Sequence, residues 1–349
     1  MILFRADGNP SIGLGHIMRN LSIADAFREM GEYCCFVLAD DRLTDLIQSR
    51  GFACKVLGSA YDHMDSEVDQ FCDIICDVKP KTVFLDSYFV TENYFDTLHE
   101  FCMSNEVKLV YVDDILSFPY ACDVLLNYNI YASEGKYRKL YKGFDLPQFI
   151  LGTAYAPLRK EFQDLPERTV KEQGRVILVS TGGADSEHLG VELAKKIADH
   201  NKWRDYVFHF IVGSMNGDKD QLESIVKRTS NIVLHENVRA MATLMQSCDM
   251  AVSAAGSTMY ELCATQTPTI TYVLADNQIP GADGFERNGI IYNAGDIRVT
   301  GAKKLAEKIL DQAVELANDY QERCDISNRM KSVVDGKGAM RIAESIRRK

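Results

Sequence analysis

Short, continuous apolar runs alternate along the chain with stretches whose apolar residues recur at helical spacing. The run MILFRAD (1–7) leads to a predicted helix over Ile17–Met30, in which Ile17, Leu21, Ala24 and Phe27 share a face. YCCFVLA (33–39), ACKVLG (53–58), TVFLDSY (82–88), VKLVYVDD (107–114) and VLLNYN (124–129) repeat the theme, and the last closes the first set. Apolar strands alternating with helices predict a parallel sheet covered on both faces. Residues 156–175, APLRKEFQDLPERTVKEQGR, are charged, hold two prolines and show no strand pattern, so they read as a linker. The theme then restarts with VILVSTGGAD (176–185), VFHFIVG (207–213), NIVLHENV (231–238), DMAVSAAG (249–256) and PTITYVL (268–274). From about residue 300 the pattern is helical.

The expected class is therefore α/β, with two Rossmann-like doubly wound domains facing a cleft. The expected division is 1–155, a linker over 156–175, a second domain over 176–325 and a C-terminal helical segment over 326–349. Ligands of open α/β sheets bind beyond the carboxyl ends of the strands, so the loops that follow strands carry the candidate chemistry.

Composition changes this picture little. A chain of 349 residues exceeds what one core usually serves, and 46% hydrophobic with 26% charged residues is ordinary for a globular protein. The formal charge of −11 argues against a nucleic-acid backbone or an anionic membrane as the main partner, yet leaves room for a local phosphate site. No run approaches the roughly 18 apolar residues of a membrane span. Met1 opens directly onto ILFRAD, without the basic region and long apolar core of a leader. The ten cysteines are scattered and form no CxxC pair, as expected of reduced thiols in a cytoplasmic protein.

Four loops stand out. In GLGHIMR, Gly13 and Gly15 begin like a dinucleotide fingerprint, but Met18 stands where its third glycine belongs. The glycines bring backbone close to a ligand, and His16 and Arg19 open the helix that follows. A neutral imidazole at a helix N-terminus can accept a proton near pH 7; the plain alternative is a tight turn with two surface side chains. In SAAGSTMYELCATQTPTI (253–270), Gly256, Ser257 and Thr258 offer N–H groups and hydroxyls to a diphosphate. Glu261 has two readings: acceptor of ribose hydroxyls, or partner of Thr258 in a capping box. In STGGAD (180–185), Gly182 and Gly183 allow close backbone approach, and Asp185 reads as the cap of the next helix. In LADNQ (274–278), the amides of Asn277 and Gln278 either read a sugar or make a turn. Asp113–Asp114 lacks a third ligand nearby in sequence for Mg²⁺, and no metal or other cofactor is expected. Cys72 and Cys76 share a helix face with apolar neighbours and read as packing.

Taken together, RADGNPSIGLGHIMRNLSIADAF, LDSYF, LGTAYAPLRKEF, STGGAD and SAAGSTMYELCATQTPTITYVLADNQ resemble, in the same order, the blocks of the PseG/SpsG family. The resemblance runs from residue 2 to about residue 278. It implies a glycosyltransferase type B fold similar to MurG, with UDP held mainly by the second domain. The activity it implies is hydrolysis of a UDP-2,4-diacetamido-2,4,6-trideoxyhexose in pseudaminic acid synthesis, by water attack at the anomeric carbon with inversion. His16 would orient or deprotonate the water, and Tyr88 and Asn277 would complete the catalytic set along the sugar. Ser257 and Thr258 would hold the diphosphate, Glu261 the ribose, and backbone near Val238 the uracil. Arg19 and Gln278 join the expected binding residues. One position departs from the pattern: Ala255 stands where a second glycine is expected, which narrows the diphosphate loop. The alternatives are a glycosyltransferase on the same fold and a non-catalytic nucleotide-sugar binder. Intact His16, Tyr88 and Asn277 speak against the binder, and no membrane-facing apolar or basic run supports a transferase acting on a lipid-linked acceptor.

Overall fold

The computed structural model describes residues 1–213 and 215–347. It divides into two compact units. Met1–Leu158 and the segment from Lys337 form one, and Arg159–Gly336 form the other.

The first unit is built on seven strands: β1 (Ile2–Ala6), β2 (Cys34–Leu38), β3 (Ala53–Val56), β4 (Thr82–Asp86), β5 (Lys108–Val112), β6 (Val124–Asn127) and β7 (Gln148–Leu151). They lie in the order β3-β2-β1-β4-β5-β6-β7, and every pair is parallel. β1 is buried throughout, and its alternation sorts its side chains between two cores. Leu3 faces one core with Val37, Val83 and Leu109; Ile2, Phe4 and Ala6 face the other. Phe4 stacks on Phe36 and Phe84 with centroids 5.0 and 4.9 Å apart. Burying such a ring stabilises the fold by about 1.5–3 kcal/mol.

The helix Gly15–Glu29 agrees with the sequence reading to within two residues, and Ile17, Leu21, Ala24 and Phe27 are all buried. Its opposite side also carries buried Ile23 and Ala26, because it packs on more than the sheet. The C-terminal helix Gly338–Arg347 places Ala339, Ile342, Ala343 and Ile346 in the same core.

The second unit carries β8 (Val176–Ser180), β9 (Val207–Val212), β10 (Ile232–Glu236), β11 (Met250–Ala254), β12 (Thr269–Val273) and β13 (Ile291–Asp296). The order is β10-β9-β8-β11-β12-β13, again all parallel. In each sheet the chain runs outward to one edge and then returns to the other side of its starting strand. The reversals fall between β1 and β4 and between β8 and β11, where open α/β sheets leave their ligand crevices.

Three expectations are corrected. The strand pattern ends the first set at VLLNYN, but β7 adds a half-buried edge strand beyond it. The stretch 156–175 is not a free linker, since from Arg159 onward it belongs to the second unit. Arg168 anchors it: Nη1 donates to Thr267 Oγ1 at 3.0 Å and to the carbonyls of Met245 and Thr265 at 3.5 Å, and Nη2 donates to the Cys248 carbonyl. Burial draws the Arg168 pKa down to about 10. The C-terminal helices are not one segment either. Tyr320–Lys331 belongs to the second unit and Gly338–Arg347 to the first; Arg348 and Lys349 lie outside the described residues.

Arg168→Ala should cost the second unit about 3 kcal/mol, by leaving buried carbonyls unpaired. Trp203 is the only tryptophan of the chain, is fully buried and sits in this unit, so its fluorescence in a urea titration reads the loss directly. An unchanged midpoint would return the stretch to the status of a linker.

Candidate active site

At the β1/β4 reversal, an apolar sheet ends in a cluster of polar side chains. β1 leads through Asp7 into a loop organised by Asn9, whose carboxamide oxygen accepts from the N–H groups of Ser11 and Ile12 at 2.8 and 3.1 Å. Gly13 turns the chain with φ +73°, a value costly for other residues, and the backbone of Asn9 and Gly13 is paired in both directions. The helix then starts and aims His16, Arg19 and Asn20 at the end of β4.

The focus of the cluster is Asp86, the last residue of β4, which is fully buried. His16 Nδ1 lies 2.6 Å from its Oδ1. Arg19 Nε donates to Oδ2 at 2.6 Å, Arg19 Nη2 donates to Oδ1, and Asn20 Nδ2 donates to Oδ2 at 2.5 Å. Burial alone would raise the Asp86 carboxyl. The Arg19 guanidinium and the His16 ring overcome that and hold it well below the usual carboxylate range. An ionised Asp86 can only accept, so Nδ1 of a neutral His16 carries the proton and Nε2 carries the lone pair. This is the arrangement a positioned general base needs.

Arg19 is buried and its guanidinium also reaches Asp114 Oδ2 at 2.7 Å and Tyr128 Oη at 3.1 Å. The sequence places it among the residues that touch substrate; in the structure its donors reach Asp86, Asp114 and Tyr128. Tyr88 stands beside His16, with ring centroids 4.4 Å apart and edge-to-face. The Asp113–Asp114 pair divides its duties. Buried Asp113 accepts from the hydroxyls of Tyr137 and Tyr120 and from the Ile115 and Leu116 N–H groups, while Asp114 holds Arg19 and Tyr88. No group of three or more potential metal ligands occurs among the described residues.

In the second unit, the loops after β8, β11 and β12 lie at the ends of neighbouring strands. Gly182 has φ +91°. Gly183 is pressed against Gly213, where a Cβ would come within 2.2 Å of the Gly183 carbonyl oxygen, so only glycine fits there. Asp185 accepts from the Leu189 and Gly190 N–H groups at 3.1 and 2.8 Å and caps the helix Leu189–Asp199, as its sequence position predicts. Ser257 and Thr258 open the helix Thr258–Ala264. No capping box forms there: Glu261 Oε1 accepts from Arg159 Nη2 at 3.0 Å, and Arg159 Nη1 also pairs with Glu161 at 2.8 Å. Burial lifts the Glu261 carboxyl above its usual value, against the pull of Arg159. Gln278 accepts the Leu274 N–H at 2.9 Å through Oε1, and its Nε2 sits beside Gly256, 3.7 Å from where a Cβ would be. Asn277 is exposed in the turn Asp276–Gln278, and half-buried Val238 follows β10.

The structure thus gathers His16 and Tyr88 at one reversal, and Gly182, Gly183, Gly256 and Gln278 with Ser257 and Thr258 along the other sheet's crest. Sequence reasoning missed Asp86, Asp114 and Arg159 as partners. The available signal was that Asp86 directly follows the apolar run Val83–Leu85.

Comparison with known proteins bears on these findings. The glycosyltransferase family 28 C-terminal domain model matches residues 176–336, within the second unit. An uncharacterised protein of Methanocaldococcus jannaschii is 28% identical over 284 residues, covering 78% of this chain and 55% of that protein. A UDP-2,4-diacetamido-2,4,6-trideoxy-beta-L-altropyranose hydrolase of Campylobacter jejuni is 25% identical over 264 residues, covering 74% of this chain and 86% of its own. The MurG structure of Acinetobacter baumannii superposes with a TM-score of 0.67 at 11% identity, covering 100% of this chain and 99% of that one. No helix among the described residues is long and apolar enough to cross a membrane. The chain therefore has two parallel-sheet α/β domains, as the alternation of its apolar runs predicted, in the fold of the type B glycosyltransferases, as the family resemblance implied.

Proposed function

We propose that this chain is a nucleotide-sugar hydrolase that cleaves a UDP-2,4-diacetamido-2,4,6-trideoxyhexose to UDP and free sugar with inversion. The observation that carries this reading is His16: its Nδ1 is fixed on ionised Asp86, which leaves Nε2 as a base. The Campylobacter jejuni relative supports the substrate class.

In this reading the second unit binds the nucleotide. Ser257, Thr258 and the backbone of Gly182, Gly183 and Gly256 take the diphosphate, Glu261 the ribose, and backbone at Val238 the base. Asn277 and Gln278 are the candidate sugar contacts of this unit, and Tyr88, beside His16, is that of the first. The water oxygen bonds to the anomeric carbon as the bond from that carbon to the phosphate oxygen breaks. The electron pair leaves with UDP, and a water proton passes to His16 Nε2. Donors on the diphosphate stabilise its growing charge. UDP is a good leaving group, so no strong acid is needed.

A glycosyltransferase is the second reading, favoured by the match of residues 176–336 to a glycosyltransferase domain. UDP release from a panel of UDP-sugars, with EDTA present and no acceptor, separates the two. Release from a 2,4-diacetamido-trideoxy sugar supports the hydrolase and its independence of metal. Tight binding without release overturns it in favour of transfer.

A further inference from the structure

Arg159 has no part in the function proposed above, yet within the second unit it joins two carboxylates. Glu161 anchors it. Glu161 Oε2 accepts the Ala242 N–H at 3.1 Å, at the start of the helix Met241–Ser247, and its Oε1 holds Arg159 Nη1 at 2.8 Å. Arg159 Cζ also lies 5.2 Å from the centroid of the Phe162 ring. Held on both sides, the guanidinium presents Nη2 to Glu261 Oε1 at 3.0 Å. Glu261 Oε2 takes no hydrogen bond from any described residue, and 21% of the side chain is exposed. An ionised carboxylate with one oxygen pinned by a charged donor can only accept, and only through the other.

We propose that Arg159 is a positioning residue that holds Glu261 as a one-sided acceptor, so that the second unit selects nucleotides carrying a ribose hydroxyl over their deoxy counterparts. The inference rests on the reading above that Glu261 takes the ribose. Arg159 acts in two ways. It fixes the direction of the free oxygen, and its charge opposes the burial that lifts the Glu261 carboxyl. The other charged group facing Glu261 is Glu161, which lifts it further, so without Arg159 nothing there favours the ionised form.

The test is calorimetric Kd of UDP, 2′-deoxy-UDP and 3′-deoxy-UDP at pH 8 and pH 6. The wild-type chain should bind UDP on the order of ten- to a hundredfold tighter than at least one deoxy form, the worth of a hydrogen bond to a charged group. Arg159→Ala should lose most of that ratio, and lose more of it at pH 6, where the unopposed carboxyl takes up a proton. The phosphate titrates alike in all three nucleotides and cancels from the ratio. Arg159→Gln, neutral but of similar reach, should behave like alanine, and Arg159→Lys should restore part of the ratio. Glu261→Gln should lower the ratio too, and adding Arg159→Ala to it should change the ratio no further. Trp203 fluorescence, from the same unit, shows which variants are folded. A wild-type ratio at both pH values in folded Arg159→Ala or Arg159→Gln would overturn the inference and leave the ribose role of Glu261 standing. A wild-type chain that binds all three nucleotides equally would overturn that role and the inference with it. A wild-type chain that does not bind UDP would overturn the nucleotide reading of the unit as a whole.

Discussion

Replacing His16 with alanine should lower kcat for UDP release by on the order of 10²–10⁴-fold while leaving the affinity for free UDP almost unchanged. The large factor follows from the loss of the only group in the cluster whose free nitrogen can take a proton from water. Asp86 cannot substitute, because Arg19 and Asn20 occupy both its oxygens and the Arg19 guanidinium favours its ionised form. The small effect on UDP follows because His16 belongs to the first unit and the proposed nucleotide residues to the second. His16→Asn is the companion variant. Its amide can still donate toward Asp86 but offers no base, so it should fold like wild type and turn over like alanine. The measurement is single-turnover UDP release beside calorimetric UDP binding. Parallel loss of both would make His16 a structural residue and end its role as base.

How far the sequence foretold this arrangement depends on the range of each interaction. β1, β4, β11 and β12 are buried along their whole length, and apolar runs announce such strands directly. The edge strands are different. β7 is half-buried and β13 reads IYNAGD, so neither stands out from loop in the pattern of apolar runs. The stretch 156–175 misleads because its charges read as solvated, whereas Arg168 spends its donors on groups some 80–100 residues away in sequence. His16 is legible as a candidate from its local setting, a glycine turn and a helix start. Asp86 is not legible as its partner, since 70 residues separate them and only the parallel β1–β4 register brings them together. Glu261 shows the reverse error: its spacing from Thr258 fits a capping box, yet the stronger offer of a charged donor from Arg159 takes the carboxylate away.

Asp86→Asn should be the most damaging single change to the first unit, because Asp86 serves two ends at once. For stability, it removes the charge that compensates buried Arg19, and breaking a buried pair in this way costs about 3–5 kcal/mol at neutral pH. Asp114 still holds one Arg19 nitrogen, which should keep the loss within that range. For catalysis, a neutral amide no longer stabilises the imidazolium that forms when His16 takes the proton, so kcat should fall even where the variant is fully folded. The pH dependence gives the sharper signature. The folded Asp86 carboxyl is held below its value in the unfolded chain, about 3.9. Its contribution to stability is therefore complete above that value, and is lost as pH falls from there through the folded pKa. Urea unfolding followed by circular dichroism at pH 7, 5 and 3 should show a constant gap between wild type and Asp86→Asn at the two higher values and a narrower gap at the lowest. A gap that stays the same down to pH 3 would mean that the depressed carboxylate is not what binds the helix start to the end of β4, and the case for His16 as an oriented base would lose its physical support.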